Sequence, residues 1–166
     1  MPDDKVRSSA LSKLAQVTEQ ILKGNVGEQY AAICVREKSQ SEGDIEILLI
    51  TSRDSGRWVI LKGWRMPRKK PHEVAAQEAW EEAGVTGKVR KKPVGYYTYV
   101  KKVRVGEHMP SLVQVHLLRV TKLDDDYPES GQRKSRWFSP EEAAAAVDEP
   151  ELATLLRRTR HFIRKV

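Results

Sequence analysis

Three glutamates near the middle of the chain, Glu78, Glu81 and Glu82, restrict what it can fold into more than any other feature. The stretch from Pro71 to Ala83 is helical in composition. It has a proline at the first helical position, alanines at 75, 76, 79 and 83 for close packing, and Gly84 as a C-terminal cap. On such a helix the three glutamates stand at i, i+3 and i+4 and share one face. Like charges there repel, and they lie near the helix end whose dipole disfavours them. Taken alone, such a trio reads more simply as a wet helix face. A divalent cation resolves the repulsion, because carboxylate oxygens are ligands that Mg²⁺ prefers, with water and phosphate oxygens completing its shell.

The preceding residues tip the balance toward a site. Between Lys62 and Lys70, five of nine residues are basic: Lys62, Arg65, Arg68, Lys69 and Lys70. A basic, Gly-containing loop directly before an acidic helix suits a metal–polyphosphate complex, in which acids hold the metal and bases hold the phosphates. The formal net charge of +7 also points to an anionic partner, although charge of this size serves solubility as well. Further basic clusters run from Lys88 to Lys92, from Lys101 to Arg104 and from Arg133 to Arg136. The last one, Arg157 to Lys165, reads as a solvated helix face and tail.

The 23 residues from Gly63 to Val85 resemble the signature of the Nudix hydrolases, Gly-x5-Glu-x7-Arg-Glu-apolar-x-Glu-Glu-x-Gly-apolar. Gly63, Glu78, Ala79, Glu81, Glu82, Gly84 and Val85 fall in register. Two positions depart: Lys69 stands where the first glutamate belongs, and Gln77 where the arginine belongs. The likeness extends over roughly residues 30–147. Leu48–Arg53 with Arg57-Trp58-Val59, and Gly131–Phe138, are similar to segments of the diphosphoinositol polyphosphate phosphohydrolases. Other basic positions of that subgroup are not matched, since Glu28-Gln29-Tyr30 and Pro110 stand in their places. Dinucleoside polyphosphates, cut by other relatives, are therefore an equal expectation.

The resemblance implies an α+β fold, the Nudix α/β/α sandwich with a mixed sheet between helices. It implies Mg²⁺, with Mn²⁺ as the alternative ion, held by Glu78, Glu82 and the backbone carbonyl of Lys62. Glu81 is the expected base that activates water. Ser52, Arg53, Arg65, Arg68, Lys69, Lys70, Arg133 and Arg136 are the expected substrate contacts. Glu107, in the loop between two predicted strands, is a weaker acidic candidate. The expected function is Mg-dependent hydrolysis of a phosphoanhydride bond in a phosphate-rich small molecule. The competing reading is a catalytically weak or inactive module that binds polyphosphate or RNA, favoured by Lys69 and Gln77 and opposed by the three intact glutamates.

At 166 residues the chain suits one domain, expected at 27–166, preceded by an arm or short helix at 1–26. Leu11, Leu14, Val17, Ile21 and Leu22 fall close to helical spacing, so residues 8–23 read as an amphipathic helix that packs on the domain or on a second subunit. A homodimer is one assembly open to the chain, and its sequence fixes no oligomeric state. Apolar residues make up 39% and charged ones 32%, a globular rather than disordered balance. No apolar run approaches the ~20 residues that span a bilayer, so no membrane role is expected. Met1–Lys5 has no signal-peptide core, which makes a cytoplasmic location the default.

Strands are expected at Tyr30–Val35, Ile45–Ile50, Trp58–Leu61, Val94–Val105, Leu112–Lys122 and around Trp137-Phe138. The segments Lys38–Asp44 and Asp124–Arg133 read as loops, and Gly63–Lys70 as irregular and basic. Ser139 with Glu142 marks a helix start, and a last helix is expected over Pro150–Phe162. Cys34, within an apolar run, reads as a buried thiol. The tyrosines 96, 97 and 99 near Lys101 and Lys102 suit a half-buried strand better than a nucleic-acid surface, and nucleic acid is the weaker partner.

Overall fold

The computed structural model describes residues 3–38 and 43–164. An N-terminal helix, α1 (Asp3–Leu22), leads into β1 (Gly27–Glu37), β2 (Ile45–Thr51), β3 (Trp58–Val59) and β4 (Leu61–Trp64). Next come α2 (Pro71–Ala83), β5 (Val85–Val89), β6 (Gly95–Arg104), β7 (Glu107–Leu123) and β8 (Ser135–Phe138). Three short helices follow: α3 (Pro140–Ala146), α4 (Pro150–Arg157) and α5 (Thr159–Arg164). Part of the expected loop before β2, residues 39–42, lies outside the described residues.

β1 is the centre of a mixed sheet. It runs parallel to β7 from Gly27↔Ser111 to Val35↔Arg119. On its other edge it pairs antiparallel with β4 through Gln29–Ala32 and with β2 through Cys34–Glu37. Ala31, Ile33 and Val35 point into one core, with Ile47, Leu49, Leu152 and Leu156. Ala32 and Cys34 point into the other, with Leu48, Leu61, Ala75 and Ala79. A strand buried on both faces reads as an unbroken apolar run, which is what Ala31–Val35 is. α2 covers one face and α3 and α4 the other, so the fold is an α/β/α sandwich. Among the described residues, no helix is long and apolar enough to cross a membrane.

Local chemistry sets the limits of α2. Pro71 occupies the first turn, where its missing N–H costs nothing, and Glu73 accepts a 2.8 Å bond from the Lys70 backbone N–H. Gly84 ends the helix at φ 69°. A Cβ there would meet the Asp124 carbonyl oxygen at 2.3 Å, so both conformation and space require glycine. At the other predicted start, the Ser139 hydroxyl accepts from the Glu142 N–H at 3.1 Å and caps α3.

Several expectations need correction. The single strand expected at Trp58–Leu61 breaks at Ile60: β3 pairs with β2, and the chain then shifts to β1 as β4, carrying Gly63 and Trp64 out of the expected irregular loop. β5 was not anticipated, because Val85-Thr86-Gly87-Lys88-Val89 carries few apolar residues. Pairing with β7 defines it, and a Cβ at Gly87 would stand 2.1 Å from the Arg119 carbonyl oxygen. β7 starts at Glu107, ahead of the expected Leu112, and includes Pro110. That proline precedes the pairing with β1, so no N–H is needed on that side. The last helix divides at Arg158, whose N–H bonds both Thr154 and Leu155 carbonyls. α1 begins earlier than expected. It contacts β7, and the Gln16 amide donates to the Gly106 carbonyl at 3.2 Å, but Leu11, Leu14, Ile21 and Leu22 are exposed. Cys34 is fully buried, and burial pushes its thiol far up from the usual range.

Candidate active site

Gly63, on β4, sets the place of the first acid. A Cβ on it would meet the Glu78 carboxyl carbon at 2.1 Å, so Glu78 lies directly against a strand that has no side chain there. One turn further along α2, Glu82 is 5% exposed. Its Oε1 accepts from the Lys62 backbone N–H at 3.1 Å, and its Oε2 is 3.3 Å from Arg133 Nη2. Burial raises the Glu78 carboxyl to about 8, helped by the negative charges of Glu82 and Glu81. Burial also raises Glu82, against the opposing pull of Arg133 and Lys62.

This arrangement makes stability depend on pH. The folded state holds the Glu78 proton up to about 8, whereas the unfolded value is 4.5. Between those values the folded state binds more protons, so its stability is full below the unfolded value and is lost as pH rises through the folded one. The melting temperature of metal-free protein should fall between about pH 5 and about pH 8, and Glu78→Gln should flatten that slope. A divalent ion held by these two carboxylates would raise the melting temperature more at the alkaline end, where both are already ionised. A slope unaltered in Glu78→Gln would show that other groups produce it.

A second layer comes from the loop between β7 and β8. It docks on the end of α2: the Asp124 N–H donates to the Gly84 carbonyl at 2.9 Å, and the Glu129 N–H to the Glu81 carbonyl at 3.0 Å. Glu129 is thereby brought into the site, with its Oε1 3.3 Å from Arg53 and 3.4 Å from Arg133. Arg133, expected to meet substrate, is largely enclosed. It faces Glu82 and Glu129 and donates to the Thr51 carbonyl at 3.2 Å. Its geometry suits holding carboxylates in place. The two departures from the signature touch each other: Lys69 Nζ donates to Gln77 Oε1 at 3.1 Å, and Gln77 Nε2 donates to Glu81 Oε1 at 2.8 Å. Glu81 is thus oriented by a neutral amide backed by a lysine.

An open cleft of about 960 Å³ lies over Glu78 and Glu82. Of the expected residues, Ser52, Arg53, Lys62, Arg65, Glu78, Glu82 and Arg133 line it. Glu81, Arg68, Lys69, Lys70 and Arg136 do not. Arg68 sits in an exposed turn at φ 64°, Lys70 precedes α2, and Arg136 stacks 4.8 Å from the Phe138 ring. Glu107 begins β7 beside Arg104 and is also outside the cleft. The sequence reading missed Arg57, Glu129, Lys101, Lys102 and Arg104, all on the cleft wall. The last three formed a visible basic cluster, but only the β6–β7 register swings them opposite the glutamates. Lys101 lies 4.4 Å over the Trp64 ring, and Lys62, lowered by burial to about 8, lies 5.3 Å over Tyr99.

Among the described residues, no three acidic, histidine or cysteine side chains are already grouped to hold a metal. Two adjacent carboxylates nonetheless fit a hard divalent ion that takes its other ligands from water and phosphate. The glycine cradle under Glu78 and the burial that raises both carboxyls, with the charges of Glu82 and Glu81 adding to it at Glu78, fit it too.

Comparison with known proteins places the chain in a family. The family model described as the NUDIX domain matches residues 27–159. Human diphosphoinositol polyphosphate phosphohydrolase 3-beta is 33% identical over 116 residues, covering 68% of this chain and 64% of that protein. Rat diphosphoinositol polyphosphate phosphohydrolase 2 is 30% identical over 119 residues, covering 70% and 62%. The chain therefore spans less than two thirds of the length of these relatives. Among solved structures, a C. elegans Ap4A hydrolase superposes with a TM-score of 0.59 at 21% identity, over 83% of this chain and 98% of that one, a likeness of fold.

Proposed function

The chain belongs to the NUDIX family, and from that premise we propose that it is a pyrophosphohydrolase that cuts a phosphoanhydride bond in a phosphate-rich small molecule. The observation that carries the reading is the pairing of buried Glu82 with half-buried Glu78 on a cleft whose wall also carries Arg53, Arg65, Lys101, Lys102 and Arg104. Diphosphoinositol polyphosphates and dinucleoside polyphosphates are the two substrate classes to which this charge distribution is suited. Glu78 and Glu82, with the Lys62 carbonyl, are the residues that would hold Mg²⁺ or Mn²⁺. The ion, when bound, polarises the attacked phosphorus and lowers the pKa of water.

The protein's own residues do the rest. Ser52, Arg53 and Arg65 bind phosphate oxygens from the cleft wall, and Arg133 keeps Glu82 and Glu129 in position. Glu81 takes the proton from the attacking water, oriented for it by Gln77. Glu129 is the competing base, because it lines the cleft and Glu81 does not. Arg68, Lys69, Lys70 and Arg136 would reach only a substrate that extends beyond the cleft. Residues 27–166 form the hydrolase domain in this reading, and residues 1–26 an appended arm.

Substrate choice decides between this reading and a non-catalytic binder. Purified protein with Mg²⁺ should release product from diadenosine tetraphosphate or a diphosphoinositol polyphosphate with a higher kcat/KM than from ADP-ribose. The preference should shrink as salt screens the basic wall, since exposed charges more than ~10 Å apart are largely screened at 0.1 M. Binding without release of product from any polyphosphate would favour the non-catalytic module. A preference for ADP-ribose would overturn the polyphosphate class and leave the family assignment standing.

A further inference from the structure

Arg57, at the end of the β2–β3 turn, lines the cleft and is held from behind by a residue far along the chain. Its Nη1 lies 2.8 Å from Glu149 Oε1 and 3.8 Å from Asp148 Oδ2. Glu149 directly precedes α4, where a capping side chain would turn back to bond the free N–H groups of the helix. It makes no such bond. Its carboxylate, 10% exposed, faces Arg57 instead as an ion pair, and both Glu149 Oε2 and Arg57 Nη1 are buried without a hydrogen-bond partner.

A buried carboxylate with an unused oxygen is costly unless a cation stays beside it. Such a pair contributes little to stability on its own, and replacing both partners by apolar groups is often harmless. What it does is fix a long side chain that would otherwise lose much rotamer freedom on binding. Arg57 keeps 31% of its side chain exposed while one corner of its guanidinium meets Glu149. A guanidinium has five donors, and those not facing Glu149 are free for phosphate oxygens.

We propose that Arg57 is a phosphate-binding residue of the cleft and that Glu149 is its positioning residue. This inference rests on the reading of the cleft as a polyphosphate site. Glu149 thereby ties the substrate wall formed by the β2–β3 turn to the helices on the far face of the sheet. It acts on substrate only through Arg57, so its effect must vanish when Arg57 is gone.

The test is a double-mutant cycle read by binding, so that no turnover is needed. Inorganic tripolyphosphate is titrated calorimetrically into the full chain in the presence of Ca²⁺. Arg57→Gln should weaken binding by ~10-fold, the scale of one lost charge-assisted contact. Arg57→Lys should restore only part of it, because the fork is lost. Glu149→Gln should weaken binding several-fold, by roughly the factor set by a disordered arginine, and have no effect in the Arg57→Gln background. If Glu149→Gln does not fold, Glu149→Asp, which withdraws the carboxylate from Arg57, takes its place. Unchanged binding in Arg57→Gln overturns the role of Arg57. An equal loss from Glu149→Gln with and without Arg57 overturns the positioning role. A wild-type chain that does not bind tripolyphosphate overturns the polyphosphate reading of the cleft, and this inference with it.

Discussion

Glu82→Gln should lower turnover of the best polyphosphate substrate by ~10²-fold or more, the scale seen when one preorganised electrostatic contact is removed from an active site. The substitution preserves shape. A glutamine oxygen can still accept from the Lys62 N–H, which now meets Glu82 Oε1 at 3.1 Å. What is lost is the negative charge facing Arg133 and the charge of one proposed metal ligand. Folding should persist, because burial already disfavours the charged form of Glu82 and the neutral amide removes repulsion with Glu78. A folded Glu82→Gln variant with wild-type turnover would remove Glu82 from the machinery.

Gly63→Ala should produce a loss of similar size by a different route. The new methyl would stand 2.1 Å from the Glu78 carboxyl and 2.6 Å from its Cγ, so the carboxylate must leave its place. The clash falls on the end of a flexible side chain and not on backbone, and β4 tolerates an alanine conformationally. Melting should therefore shift by only a few degrees, as for a change on the order of 1 kcal/mol in a domain of this size, while turnover falls by ~10²-fold. A Glu78→Gln change on top of Gly63→Ala should cost little more, because both act on one carboxylate. Wild-type activity in Gly63→Ala would mean that the position of Glu78 against β4 is irrelevant to the reaction.

The parts of this fold that were legible in the sequence are those decided within a turn or two of chain. The ends of α2 follow from Pro71, Glu73 and Gly84, and the core strands from unbroken apolar runs such as Ala31–Val35. Parts decided by pairing were not legible. β5 has almost no pattern of its own, and the shift from β3 to β4 at Ile60 depends on which edge each half finds. The cleft wall shows the same division. Arg65 lies in the basic run just before the glutamates and Arg53 in a segment picked out by its resemblance, whereas Lys101, Lys102 and Arg104 arrive through the parallel β1–β7 pairing and the β6–β7 register. Glu129 lies in a stretch that reads only as a polar loop, and Arg133 was legible only through the resemblance of Gly131–Phe138, as a substrate contact. The meeting of Arg133 with Glu82 and Glu129 depends on how that loop seats.

That seating has a consequence for transplantation and loop engineering. Polar surface loops are ordinarily where insertions are harmless. Here the segment after β7 satisfies carbonyls at the end of α2 that would otherwise be orphaned, through Asp124 to Gly84 and Glu129 to Glu81. It is a removable-looking piece that closes a helix terminus. An inserted residue between Asp124 and Glu129 would put these two bonds out of step with each other and leave the last turn of α2 without its outer partners. A graft of the Gly63–Val85 segment onto another scaffold would fail for the same reason unless this loop travelled with it, although the two are far apart in sequence. The smallest portable unit of this site is discontinuous.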